Sequence, residues 1–179
     1  MLTARRVLEE LRAHRVTHVI GLPDNSTAAL FAVLQERNEI TVVSVTREGE
    51  AFAIAAGLWM GGAVPVVLIQ NTGFFESGDA LRGCVSRLRI PLVCLIGYRG
   101  YRKLKAAGLE PSVDLLTPDN LSRPEQDSCA LLFEPTLRAW GVPYELLAND
   151  DELPRLAAAF ERAERDQSAV AVLIVDDMM

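Results

Sequence analysis

Metal and redox chemistry find few ligands in this chain. Its 179 residues include three cysteines, Cys84, Cys94 and Cys129, with neither C-x-x-C nor metal-ligand spacing, and two histidines, His14 and His18. A histidine-built zinc site and a histidine general base are therefore poorly supported. The odd, scattered thiols fit a reducing cytoplasm and no disulfide framework. Cys94 falls inside the apolar run Pro91–Ile96 and reads as a small hydrophobe. Lysine is nearly missing, with only Lys103 and Lys105, and the net charge of −6 argues against a nucleic-acid binder. The stretch Arg99–Lys105 reads as a solvated loop or helix face. No apolar run reaches the ~18–20 residues of a membrane span, and the charged, amphipathic Met1–Glu10 does not resemble a signal peptide. G-x-G-x-x-G, Walker A and G-x-S-x-G sequences are all absent, which removes the commonest nucleotide and hydrolase readings of a cleft.

What the chain does have is apolar substance and alternation. Half of its residues are hydrophobic and 23% are charged, enough for one globular domain over residues 1–179 with a sizeable core. Helical spacing over Thr3–His14, with Thr3 as N-cap, precedes a short strand at Thr17–Gly21. Ser26 is in place to cap the next helix, with Leu30, Phe31, Val33 and Leu34 on its apolar face. Strands follow at Thr41–Val45, Val64–Ile69 and Ile90–Ile96, with a helix after Glu48 closed by Gly61-Gly62, and another over Ser77–Arg87. The segment 98–128 is rich in glycine and proline and irregular, which predicts a lid or a partner-contacting surface. Regular spacing returns with a helix near Ala130–Trp140, a strand at Tyr144–Leu147, a helix over Asp151–Arg165 and a last strand at Ala169–Val175. Most strands are continuous apolar runs, the pattern of a sheet buried on both faces. The predicted fold is α/β: a doubly wound, six-stranded, mainly parallel sheet with helices on both faces.

In such a sheet three polar segments, Leu22-Pro23-Asp24-Asn25, Arg47-Glu48-Gly49 and Gln70-Asn71-Thr72-Gly73, follow successive strands and gather at one edge, where ligands bind. The most informative is Thr46–Gly57, in which a β-branched strand ends in charge and passes into an Ala-rich helix. Glu48 is either a charge favourably placed at a helix N-terminus, worth ~0.3–1 kcal/mol, or a reactive group. Glu50 competes for the same role, but two residues along a helix turn a side chain by roughly 200°, so the two do not point alike. Arg47 is suited to pair an anionic substrate or one of these glutamates. Asp24 and Asn25 are either substrate contacts or ordinary helix caps.

Taken in order, these residues resemble the pyrimidine-binding domain of thiamine diphosphate enzymes. The resemblance rests on Glu48 with Ala51, Ala55 and Gly57 nine positions on, Gly21-Leu22-Pro23-Asp24 after the first strand, and Gln70-Asn71-Thr72-Gly73 with the later Arg89-Ile90-Pro91-Leu92. Within that superfamily the chain is most similar to the sulfopyruvate decarboxylase α subunit and the matching half of phosphonopyruvate decarboxylase. The resemblance implies that Glu48 hydrogen-bonds N1′ of the aminopyrimidine and favours its imino tautomer, which takes the thiazolium C2 proton and so prepares attack on a 2-oxo acid. It implies a cofactor pocket lined by Glu48, Asn71, Thr72, Gly73 and Phe74, and a substrate side with Asp24, Asn25 and Arg47. Many members carry G-x-G where this chain has Gly73-Phe74-Phe75. Trp59 and Trp140 read as core or interface aromatics.

The superfamily holds diphosphate and Mg2+ on a second domain, through G-D-G and an Asn some thirty residues later. Gly78-Asp79-Ala80 matches the start loosely, but no Asn lies between Asn71 and Asn120. The resemblance therefore implies a separate diphosphate-binding β subunit that supplies the metal and diphosphate site, in an α2β2 or larger assembly. The expected activity is non-oxidative decarboxylation of a 2-oxo acid bearing a second anionic group. Carboligation to an acyloin, and a non-catalytic α/β regulatory subunit in which Glu48 is only structural, are the alternatives.

Overall fold

The continuous apolar runs become strands buried on both faces. The computed structural model describes residues 1–124 and 126–179. In chain order the main elements are α1 (Ala4–Ala13), β1 (His18–Gly21), α2 (Ala28–Arg37), β2 (Thr41–Ser44), α3 (Glu48–Met60), β3 (Pro65–Gln70), α4 (Asn71–Glu76), α5 (Gly78–Ala80), β4 (Leu92–Gly97), α6 (Tyr101–Ala106), α7 (Pro118–Leu121), α8 (Ser128–Ala139), β5 (Tyr144–Leu147), α9 (Pro154–Asp166) and β6 (Ala169–Ile174). The six strands form one sheet in the order β2-β1-β3-β4-β6-β5, and every pairing among the described residues is parallel. Strands β4 and β6 are wholly buried, whereas the edge strands β2 and β5 are only partly covered.

Side chains of a strand alternate between the two faces, and the pairing of β3 with β4 sorts them cleanly. Val67, Ile69, Cys94 and Ile96 enter one core with α3, α4 and α8, while Val66, Leu68, Val93 and Leu95 enter the other with α1, α2 and α9. Cys94 is a core residue, and burial pushes its thiol well above the usual range, so it stays protonated. On the second face α1 and α9 each bury one stripe: Val7, Leu8 and Leu11 on α1, and Leu156, Ala159, Phe160 and Ala163 on α9.

Several local expectations need correction. Gln70–Gly73 is not a turn: Gln70 ends β3 and the chain enters α4 at Asn71 without a loop. The helix expected over Ser77–Arg87 is not a regular α-helix; Ser77 separates it from α4, its hydroxyl donating to Gly73 O at 2.6 Å. The chain continues as α5 and a π-helical stretch, Leu81–Ser86. At the first strand-to-helix junction, between β1 and α2, Asp24 rather than Ser26 takes the free amides: its Oδ1 accepts from Ser26 N at 2.6 Å and Thr27 N at 3.1 Å. Thr3 precedes α1, but its hydroxyl donates to Asp150 at 2.8 Å and does not cap the helix.

The segment 98–128, of which Glu125 lies outside the described residues, contains α6, α7 and a 3-10 turn at Val113–Leu115. Tyr98 and Leu104 are buried in the α3/α8 core, and Leu109, Leu115 and Leu116 pack against it. Arg99 pairs with Asp127 at 3.0 Å, and Arg102 pairs with Asp176 at 2.8 Å. Lys105 pairs with Glu110.

Phe74 is fully buried at the centre of an aromatic cluster. Its ring meets Phe52 and Phe133 edge-on, at 6.0 and 5.5 Å between centroids, and stacks on Trp140 at 5.5 Å. Phe75 meets Phe133 at 5.7 Å. The Phe74-Phe75 pair thus joins α4 to α3 and α8. Phe74→Ala is expected to cost about 3–5 kcal/mol in urea denaturation; a loss below about 1 kcal/mol would contradict this placement.

Candidate active site

Strand order reverses at β1, whose two neighbours β2 and β3 are reached by crossovers in opposite directions. The carboxyl ends on either side of such a point leave a crevice. Here it has a volume of about 360 Å³ and is lined by Leu22, Pro23, Asp24, Asn25, Glu48, Gln70 and Thr72. The three polar segments of the sequence therefore do meet. Of the expected site residues the crevice contains Asp24, Asn25, Glu48 and Thr72.

Glu48 is the first residue of α3 and is half-buried. Among the described residues no hydrogen-bond donor or cation reaches its carboxylate. Its side chain lies against the first turn of α4, where Gly73 has no Cβ; a methyl group there would overlap Glu48 from Cγ to Oε1. Gly73 is therefore a cradle for the glutamate. Glu50 faces elsewhere, as the helical turn requires: it accepts from Thr46 N at 3.1 Å and Arg47 N at 3.4 Å and so caps α3.

Asp24 sits at the floor of the crevice. Its Oδ2 is buried and has no hydrogen-bond partner among the described residues, and a Cβ on Gly97 would come within 2.6 Å of it. Burial raises the Asp24 carboxyl above the usual carboxylate range, opposed by the Ser26 and Thr27 amides. Asn25 is exposed at the rim, and Thr72 donates its hydroxyl to Gln70 Oε1 at 2.8 Å.

The remaining expected residues stand elsewhere. Arg47 is turned away, paired with Glu76 through Nε at 3.1 Å and Nη2 at 2.5 Å, not with Glu48 or Glu50. Asn71 is fully buried and does not line the crevice: its Nδ2 donates to Arg99 O at 3.1 Å, and its Oδ1 has no donor among the described residues. Phe74 belongs to the aromatic cluster. The residue that sequence reasoning missed is Glu76, which holds both Arg47 and the backbone of Gly49. Its only signal was a three-residue spacing from Gly73, which places both on one helical face. Among the described residues no three His, Cys, Asp or Glu side chains form a metal cluster, and no helix is long and apolar enough to cross a membrane.

Two outcomes follow from this geometry. Gly73→Ala should displace the Glu48 carboxylate by about 1 Å or more, since a Cβ needs ordinary van der Waals room; an unmoved Glu48 carboxyl resonance in 13C NMR would contradict the cradle. For Asp24, a raised native pKa means that ionisation costs stability as pH rises. Urea denaturation of Asp24→Asn should therefore show its stability relative to wild type increasing from below about pH 3.9 towards pH 7, and a flat or falling difference would contradict the burial.

A 2-oxoglutarate:ferredoxin oxidoreductase from Magnetococcus marinus has a similar fold, with a TM-score of 0.65 at 13% identity over 97% of this chain and 28% of that one. Phosphonopyruvate decarboxylase of Streptomyces hygroscopicus is 33% identical over 100 residues, covering 56% of this chain and 25% of the relative. Sulfopyruvate decarboxylase subunit alpha of Methanocaldococcus jannaschii is 28% identical over 94 residues, covering 52% and 56%. The matches thus span only part of these relatives. Residues 1–117 match the model described as thiamine pyrophosphate enzyme, N-terminal TPP binding domain, and the chain, with Glu48 at the mouth of its crevice, belongs to that family.

Proposed function

We propose that this chain is the pyrimidine-binding subunit of a thiamine diphosphate-dependent decarboxylase acting on a small 2-oxo acid of the sulfopyruvate or phosphonopyruvate kind. The observation that carries the reading is the Glu48 carboxylate, partnerless among the described residues and cradled by Gly73 in a crevice at the sheet's reversal point. A free acceptor at that place fits a ring nitrogen that must be hydrogen-bonded and share a proton. When bound, the cofactor supplies the electron sink for loss of carbon dioxide.

The chain's own residues then have separable tasks. Glu48 holds the proton at the pyrimidine nitrogen, and α3 fixes where that carboxylate stands. Gly73 cradles that carboxylate from behind, and Thr72, which lines the crevice, would border the ring. Asp24 and Asn25, from the loop after β1, face the substrate side, with Asp24 kept partly out of water. Asn71 ties the start of α4 to the segment after β4 through Arg99 O.

The lining also supports a divided site. Among the described residues Asp24 and Glu48 are its titratable groups, and no lysine or arginine lines it. A crevice of acceptors suits an aminopyrimidine and repels a diphosphate or a dianionic acid. We assign Mg2+, the diphosphate and the substrate's second anion to a diphosphate-binding partner subunit, in an α2β2 or larger cytoplasmic assembly. Residues 1–179 then act as one pyrimidine-binding domain.

Co-expression with such a partner should give thiamine diphosphate-dependent release of carbon dioxide and an aldehyde from sulfopyruvate or phosphonopyruvate. Glu48→Gln should lower kcat by about 10²–10⁴-fold, the usual contribution of a positioned acid–base group, with the fold intact by circular dichroism. Full activity of that variant would remove Glu48 from the mechanism.

A further inference from the structure

Glu48 has neighbours on both sides in the chain, and both are held by one carboxylate. Glu76, the last residue of α4, accepts from Gly49 N through Oε2 at 2.7 Å and from the Arg47 guanidinium through Oε1 at 2.5 and 3.1 Å. Gly49 is the second residue of α3, so its N–H is one of the donors that a helix start leaves without an intrahelical acceptor. Gly73, one turn earlier on α4, forms the cradle against which the Glu48 side chain lies. The two contacts fall three residues apart, on one face of a short helix. Ser77 fastens that helix from below by donating to Gly73 O at 2.6 Å.

We propose that Glu76 is a positioning residue for Glu48, fixing the start of α3 so that the Glu48 carboxylate stays in its Gly73 cradle. The proposal rests on the reading of Glu48 as the cofactor's proton partner. Its two arms are unequal. The Arg47 arm is a surface ion pair, with Arg47 72% exposed, and such pairs contribute little. The Gly49 arm satisfies a backbone donor at a helix terminus and fixes main chain rather than a flexible side chain. The Gly49 amide is also the first cause of the lowering of the Glu76 carboxyl, ahead of Arg47. Glutamine at 76 keeps an oxygen for the Gly49 N–H while giving up the charge, and so separates the arms. Alanine removes both.

The test combines amide exchange on the full chain with kinetics of the reconstituted enzyme. In Glu76→Ala the Gly49 amide should exchange about 10-fold or more faster, the loss expected for a charge-assisted hydrogen bond, with amides of β3 and β4 unchanged. Glu76→Gln should restore most of that protection. In the enzyme, Glu76→Ala should lower kcat about 10-fold or more with KM for the 2-oxo acid little changed, and Glu76→Gln should recover most of kcat. A general loss of stability would instead speed exchange throughout the sheet. Should Glu76→Ala not fold, Glu76→Asp, one methylene shorter, should show the same selective exposure of Gly49.

Unchanged Gly49 exchange, or wild-type kcat in Glu76→Ala where Glu48→Gln is inactive, would overturn the positioning role and leave the function intact. If the reconstituted enzyme shows no thiamine diphosphate dependence, the functional reading fails, and with it the role of Glu76 towards the cofactor; the exchange experiment then still reports whether Glu76 fixes the start of α3.

Discussion

The parallel pairing of β1 with β3 is the constraint on which the rest of the molecule depends. His18–Gly21 lie in register with Pro65–Leu68, and β1 pairs with β2 on its other side. Parallel neighbours need crossovers, and right-handed crossovers in opposite directions put α2 on one face and α3 on the other. The carboxyl ends of the strands then share one edge, with a crevice where the directions part. Asp24, Glu48 and Thr72 come from three separate segments, yet this single topological fact brings them together.

The two helical layers meet different demands. On one face α1 and α9 bury a single stripe and turn arginines and glutamates outwards, as solvent-facing helices do. On the other, α3 is apolar almost all round. Ala51, Phe52, Ala55 and Ala56 are buried, while Ala53, Ile54, Gly57 and Met60 are exposed. The Ala-rich character lets α3 lie close to β1 and β3, so that the position of Glu48 is set by core packing. The aromatic cluster around Phe74 has the same consequence for α4, whose Gly73 and Glu76 reach the start of α3. Both sides of the Glu48 cradle are thus anchored in one core.

Much of this was legible in the sequence, for definable reasons. Strands buried on both faces write themselves as uninterrupted apolar runs, so β3, β4 and β6 and the sheet type could be read directly. Polar segments after successive strands located Asp24, Glu48 and Thr72. The errors occur where a local signal has two physical meanings. Asn71 and Gly73 look like turn formers, but a strand that enters a helix without a loop uses them at its first turn. Phe74 adjoins the crevice in sequence, yet the same helical turn points it into the core. Arg47 carries the charge an anionic substrate would need, but its partner, Glu76, is 29 residues away, and no spacing rule connects them.

The chemistry of the crevice sets the last step. Two carboxylates share it, and they are kept in different states of solvation: Glu48 stands half-buried at the mouth, and Asp24 has on the floor a buried oxygen without a partner among the described residues. Groups placed so differently are suited to different tasks, and in the proposed reading Glu48 would meet a ring nitrogen while Asp24, its carboxyl partly out of water, would face the substrate. Such a surface is complementary to a neutral, donor-bearing heterocycle. It is opposed to the anionic parts of both the cofactor and a 2-oxo acid with a second negative group. The guanidinium nearest in sequence, that of Arg47, is paired with Glu76 and turned away from the crevice, so in the proposed reading the cations for these anionic parts are assigned to the partner subunit. A crevice that is rigid behind, acidic within and open in front is the form expected of the pyrimidine half of a shared active site.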